Sequence, residues 1–240
     1  MSKTPDMKLL ANHLPIFICL AGLFSACFPQ QDPGPVQFDR RSYALMGFDR
    51  VEADEALIIT VQSSPFYSVY AEGDRRNLDD LVVVKLGNTL RLGFSSAKRR
   101  DHPTYLTIQL PALGNLLLSG ASNAIASGFQ SDMDITLSGG SVGQFDLQCA
   151  SVKVIISGAS RATFTGKATA FNGNVSGMSS LHAADLFAHQ VDISVSGLSE
   201  ARVWANETLK ANASGSSVVF YKGSPSVTAT VADGSDVKPN

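Results

Sequence analysis

A four-residue motif, Ser-Gly-x-Ser, is written six times in the second half of this chain. Its copies are Ser119–Ser122, Ser138–Ser141, Ser157–Ser160, Ser176–Ser179, Ser196–Ser199 and Ser214–Ser217. A seventh, degenerate copy is Asp233-Gly234-Ser235-Asp236. From Gly120 through Gly139, Gly158, Gly177, Gly197 and Gly215 to Gly234 the glycines step by 19, 19, 19, 20, 18 and 19 residues. A fixed period of this kind means one structural unit stacked on copies of itself.

The hydropathy between the motifs says what the unit is. Two residues before each glycine stand Leu118, Leu137, Ile156, Val175, Val195, Ala213 and Ala232. Four before stand Leu116, Ile135, Val154, Gly173, Ile193, Ala211 and Thr230. Most of the intervening positions are polar, as at Asp134, Thr136, Lys153, Asn172, Asp192, Ser194 and Lys210. Alternation with period two is the mark of a half-buried strand. The same parity resumes after the motif at Ala126, Phe145, Phe164, Ala183, Val203 and Tyr221. No segment carries the 3.6-residue stripe of an amphipathic helix. Each repeat therefore reads as strand, Ser-Gly-x-Ser corner, strand and a looser return.

Identical units with strands at the same offset stack strand on strand. The expected fold is all-β: a right-handed parallel β-helix with about 19 residues per coil. Coils rising about 4.8 Å each make six intervals a rod roughly 29 Å long. The motif glycine sits at the corner, where positive φ and the close approach of the next coil exclude a Cβ. The flanking serines can bond the turn backbone and adjacent coils. Other repeat folds fit less well. Leucine-rich repeats need their Leu/Asn consensus, and calcium-binding nonapeptide repeats need an Asp where this chain has Ser. A hexapeptide helix steps in multiples of six, and a Gly/Ser linker shows no alternation.

Ahead of the repeats, residues 37–118 are β-rich but lack the motif. Strands are expected at Leu57–Val61, Tyr67–Tyr70 and Thr104–Leu110, a helical turn within Arg75–Leu81, and a hairpin from Leu81 to Phe94 around Gly87-Asn88. Residues 37–118 are expected to supply the irregular first coils and the N-terminal cap that a solenoid needs. Residues 119–236 supply the repeat coils, all within one domain spanning 37–240.

The first 26 residues read as an export signal. Lys3 and Lys8 precede an apolar run from Leu9 to Phe24, closed by Ser25-Ala26-Cys27. This junction resembles the lipobox of bacterial lipoproteins, with Phe24 in place of the usual aliphatic residue. The resemblance implies acylation of Cys27 and attachment to a membrane. A plain secretory signal or a single membrane anchor stays open as an alternative. Residues 27–36, with Pro29, Pro33 and Pro35, read as an extended tether. Of three cysteines only Cys149 lies in the domain, so no internal disulfide is possible there. It is expected as a small core residue.

Net charge is −2, which leaves no basic footprint for nucleic acid. Paired catalytic carboxylates on a β-helix would share an outward offset in adjacent or next-but-one coils. Five residues before the glycine the acids are Asp134 and Asp192, three coils apart, each beside a lysine, Lys153 and Lys210. Opposite charges on neighbouring strands suit a solvated, paired face. The histidines do not cluster, and no phosphate-binding glycine loop precedes a helix. The expectation is a protein with no enzyme activity, no cofactor and no metal. One outward patch of the last coils is a candidate contact surface: Arg202, Trp204, Phe220 and Lys222, with Glu200 beside them.

These features together resemble the head GIN domain family, the head domains of auto-transporter adhesins. The resemblance covers about residues 45 to 236. It rests on Val51-Glu52-Ala53 leading into Ile58–Val61, on Asn77-Leu78-Asp79-Asp80-Leu81, on Thr107–Leu113 and on the Ser-Gly-x-Ser series. It implies a β-helix in an exported protein, often a lipoprotein, of Gram-negative bacteria. It implies a role in adhesion, with no established enzyme activity and no catalytic motif to carry over. The function expected is binding of a carbohydrate or protein partner at the cell envelope by an outer-membrane lipoprotein. An envelope scaffold or signalling accessory is the alternative, and a polysaccharide-cleaving enzyme a remoter one.

Overall fold

The computed structural model describes residues 34–240, so the expected signal, Cys27 and most of the tether lie outside the described residues. Before the repeats run β1 (Phe38–Tyr43), β2 (Arg50–Ala53), β3 (Ile58–Ser63), β4 (Ser68–Asp74), the short α1 (Arg75–Leu78), β5 (Leu81–Leu86), β6 (Thr89–Phe94) and β7 (Thr104–Leu110). The repeats supply β8 (Asn115–Leu118), β9 (Asn123–Phe129), β10 (Met133–Leu137), β11 (Val142–Ile156), β12 (Arg161–Val175), β13 (Ser180–Val195), β14 (Glu200–Ala213), β15 (Val218–Lys222), β16 (Ser226–Val231) and β17 (Asp236–Pro239).

From β8 onward every pairing is parallel and joins one coil to the next. The chain is a parallel β-helix. Leu118, Leu137, Ile156, Val175, Val195 and Ala213 lie in register above one another. All six are buried. A second inward column stacks Leu116, Ile135, Val154, Gly173, Ile193 and Ala211. Where Gly173 leaves a gap, the side chains of Ile193 and Phe171 close in to 3.3 Å of where its Cβ would stand. The rings of Phe145, Phe164 and Phe171 fill the middle of the core, at centroid distances of 4.7 and 5.5 Å.

The corners show why the motif has this form. At Gly177 φ is +82°, and an added Cβ would lie 2.5 Å from the carbonyl oxygen of Gly158 in the coil below. That oxygen accepts the N–H of Met178 at 2.8 Å. The same bond recurs from Gly140 to Gly120, Ala159 to Gly139, Leu198 to Gly177 and Ser216 to Gly197. The glycines thus form a hydrogen-bonded ladder that only a bare Cα can enter. The second serine of each motif points inward and is buried. At Ser141, Ser179, Ser199 and Ser217 the hydroxyl donates to a backbone carbonyl, as from Ser217 to those of Val195 and Ser214 and from Ser199 to that of Gly177.

One expectation needs correcting. The return is not loose: β11 to β14 run 14 to 16 residues from one corner to the next without a break. Residues 37–118 form both coils and a closing end. Strands β2 and β3 pair in parallel with β8 and β9, so their coil lies directly against the first repeat. Its corner is Asp54-Glu55-Ala56-Leu57, with Glu55 and Ala56 at positive φ beneath Gly120. Strands β6 and β7 stack on the far side of that coil. The antiparallel strands β5 and, through β4, β1 then close this end.

Two carboxylates pin the closure. Asp74, almost wholly buried, caps α1 and accepts from the Gln37 amide at 3.0 Å and the Arg76 guanidinium at 2.6 and 2.7 Å. The Arg76 side chain holds its carboxyl far below the usual carboxylate range. Asp80 accepts from Ser95, Ser96 and Arg100, and these bonds, Ser95 first, lower it to about 2. The Arg100 guanidinium lies 3.5 Å over the Phe94 ring. The charged loop 98–102 is therefore tied down at Arg100.

Candidate binding face

Alternation sends every second side chain of β12 to β17 outward, and the stacking places these side chains in columns. One column runs His182, Arg202, Phe220, Lys238. Its neighbour runs Gln148, Lys167, Phe187, Trp204, Lys222. Cations and rings are interleaved in the first column, and in the second two adjacent rings, Phe187 and Trp204, lie between Lys167 and Lys222. The Arg202 guanidinium lies 4.5 Å from the Phe220 centroid, and the Lys222 ammonium 4.2 Å from that of Trp204. Lys238 approaches the Phe220 ring at 5.3 Å. The Phe187 ring meets Trp204 edge-on at 5.1 Å and His189 at 5.2 Å.

The structure brings Arg202, Trp204, Phe220 and Lys222 together as a two-by-two block on adjacent coils, all half-buried. Phe187 and Lys222 flank the Trp204 ring. The cations of the block are balanced. Arg202 pairs with Glu200 at 2.6 Å, Lys222 with Asp185 at 3.5 Å, and Lys238 with Asp236 at 2.8 Å. Aromatic surface held between satisfied cations is a contact surface with little charge repulsion to overcome.

Reading along the sequence missed Phe187, Lys167, Gln148 and His189. Counted forward from the preceding glycine, Gln148, Lys167, Phe187 and Trp204 fall at 9, 9, 10 and 7 residues, which hides the column. Counted back from the next glycine they fall at 10, 10, 10 and 11. Irregular pairing between Ala183 and Phe187 displaces them, and the exposed Asp185 lies in that stretch. Cys149 is half-buried and touches the core only in part, a correction to its placement as a core residue. Burial, with Asp132 nearby, raises its thiol above the usual range.

On the opposite columns the register sets Asp134 beside Lys153 and Asp192 beside Lys210. Only the second pair closes into a salt bridge, at 3.1 Å. Among the described residues no group of three His, Cys, Asp or Glu side chains is placed to hold a metal, and no helix is long and apolar enough to cross a membrane.

The fold and this face define a class: a β-solenoid domain presenting a cation–aromatic ladder on its outer wall. The chain belongs to the family described as putative auto-transporter adhesin, head GIN domain, which matches residues 47–225. Its fold is similar to that of a putative adhesin from Bacteroides fragilis, with a TM-score of 0.76, 21% identity and coverage of 85% of this chain and 97% of that one. It is similar to a putative adhesin from Parabacteroides merdae, with a TM-score of 0.71, 16% identity and coverage of 85% and 96%. A putative lipid binding protein from Parabacteroides distasonis is also similar, with a TM-score of 0.68, 18% identity and coverage of 85% and 96%. No curated protein matches the chain. The family associates the chain with adhesion and with the cell envelope or surface.

Proposed function

We propose that this protein is a lipid-anchored, exported, non-catalytic adhesion module that works by holding a partner against the outer wall of its β-helix. The observation that carries the reading is the half-buried block of Arg202, Trp204, Phe220 and Lys222, in which cations lie over aromatic rings on the outer wall. Family membership and the adhesin names of the structural neighbours support it. The Ser25-Ala26-Cys27 junction supports attachment through lipid on Cys27 to the outer membrane, and residues 27–36 would then serve as the tether.

The test is binding of the labelled mature protein to isolated cell envelopes. Trp204→Ala is expected to weaken binding about tenfold or more, as loss of an interfacial tryptophan anchor does. Unchanged binding removes the block from the site, and absence of binding by the unmutated protein overturns the adhesion reading. The mass of the mature N-terminal peptide checks the anchor: it should begin at an acylated Cys27.

A further inference from the structure

A groove of about 590 Å³ runs beside the aromatic ladder, lined by Gln130, Gln148, Lys167, Thr169, Phe187 and His189, with Cys149 and two alanines between them. From its lining residues we infer that it seats a linear acidic glycan lying along the solenoid axis, with a carboxylate sugar at Lys167. The inference rests on the adhesion reading and names the ligand for it.

Gln130 and Gln148 are exposed side chains on neighbouring coils, each offering an amide that both donates and accepts, as a sugar hydroxyl requires. Lys167 and then Phe187 follow in the same column, one coil apart each. Each coil advances about 4.8 Å, close to the advance of one hexose in an extended chain. A glycan would therefore meet an amide, an amide, a cation and an aromatic ring on successive units.

The charge pattern selects an acidic chain. Lys210, Lys222 and Lys238 each have a carboxylate partner. Exposed Lys167 has no ion-pair partner among the described residues, and none of the groove's lining residues is acidic. Of the other lining side chains, His189 is hydrogen-bonded to Glu207 at 2.8 Å, and Cys149 carries an uncharged thiol whose titration burial shifts upward. An uncommitted ammonium between hydroxyl-binding amides and a ring fits a uronate better than a neutral sugar. A peptide fits worse. Extended peptides dock by adding to a strand edge, and here β11, β12 and β13 are paired on both sides.

The experiment titrates the full-length mature protein with galacturonate hexasaccharide, its uncharged methyl ester and an array of other linear acidic hexasaccharides. At least one acidic hexasaccharide should bind. Neutralising its carboxylates and Lys167→Ala should each weaken it about tenfold, the value of one charge-assisted hydrogen bond. Lys167→Arg should retain binding, Phe187→Ala should lose it, and Lys210→Ala on another face should change nothing. Melting curves confirm that the variants are folded. Absence of binding to every acidic hexasaccharide, equal binding of the neutral form, or an unaffected Lys167→Ala overturns the inference. Periodate treatment of isolated envelopes should abolish their capture, and protease treatment should spare it. The opposite pattern overturns the glycan while leaving adhesion in place, whereas loss of envelope binding altogether sinks the adhesion reading itself.

Discussion

Gly177→Ala should destabilise the domain by about 2–5 kcal/mol, whereas Gly234→Ala should cost only about 1–2 kcal/mol. Both glycines sit at positive φ, +82° and +74°. A left-handed conformation costs an alanine about 1–2 kcal/mol. At Gly234 nothing lies within 4 Å of the added Cβ, so that is the whole penalty. At Gly177 the methyl would stand 2.5 Å from the Gly158 oxygen and 3.1 Å from its nitrogen. Both atoms are backbone, so relief requires opening the ladder, and overpacking adds about 1–3 kcal/mol. Urea denaturation midpoints of the two variants provide the comparison. Equal shifts would mean that backbone conformation alone, and not the close stack, sets the glycine requirement.

The second large effect lies in the core. Phe164→Ala should cost about 3–5 kcal/mol, because deleting a buried ring leaves a cavity that its neighbours fill only in part. Phe164 is wholly buried between Phe145 and Phe171. Phe66→Ala provides the contrast: its ring is 75% exposed, and the expected change is within about 0.5 kcal/mol. Thermal melts of the pair measure the difference. A small loss at Phe164 would show that the three rings are not one packed layer.

The repeat coils were legible in the sequence because a solenoid repeats the same physical demand at each turn. Leu137, Ile156, Val175 and Val195 share one offset and one environment, so each copy corroborates the others. The strand-to-strand order of the first coils was not legible. Asp54-Glu55-Ala56-Leu57 occupies a corner without glycine, and β2 and β3 find their partners more than 50 residues away, in β8 and β9. Neither fact leaves a periodic mark.

The candidate face was half legible. Arg202, Trp204, Phe220 and Lys222 lie in adjacent coils whose parity is undisturbed between Glu200 and Trp204. The groove beside them was hidden, because irregular pairing in β13 shifts Phe187 relative to the motif before it. A binding surface built where the repeat is irregular is the part that a fixed period cannot show.

The stacked coil itself is tested most directly by cross-linking side chains between coils. Ile155 and Asn174 are register partners in adjacent coils, which places their Cα atoms about 4.8 Å apart, within the disulfide range of about 4.4–6.8 Å. Ser194 is the partner of Asn174 one coil further on, about 9.6 Å from Ile155. In a Cys149→Ser background, Ile155→Cys with Asn174→Cys should oxidise to a disulfide mapped by peptide mass spectrometry, and Ile155→Cys with Ser194→Cys should not. A bond between positions 155 and 194 with none between 155 and 174 would contradict the parallel β-helix.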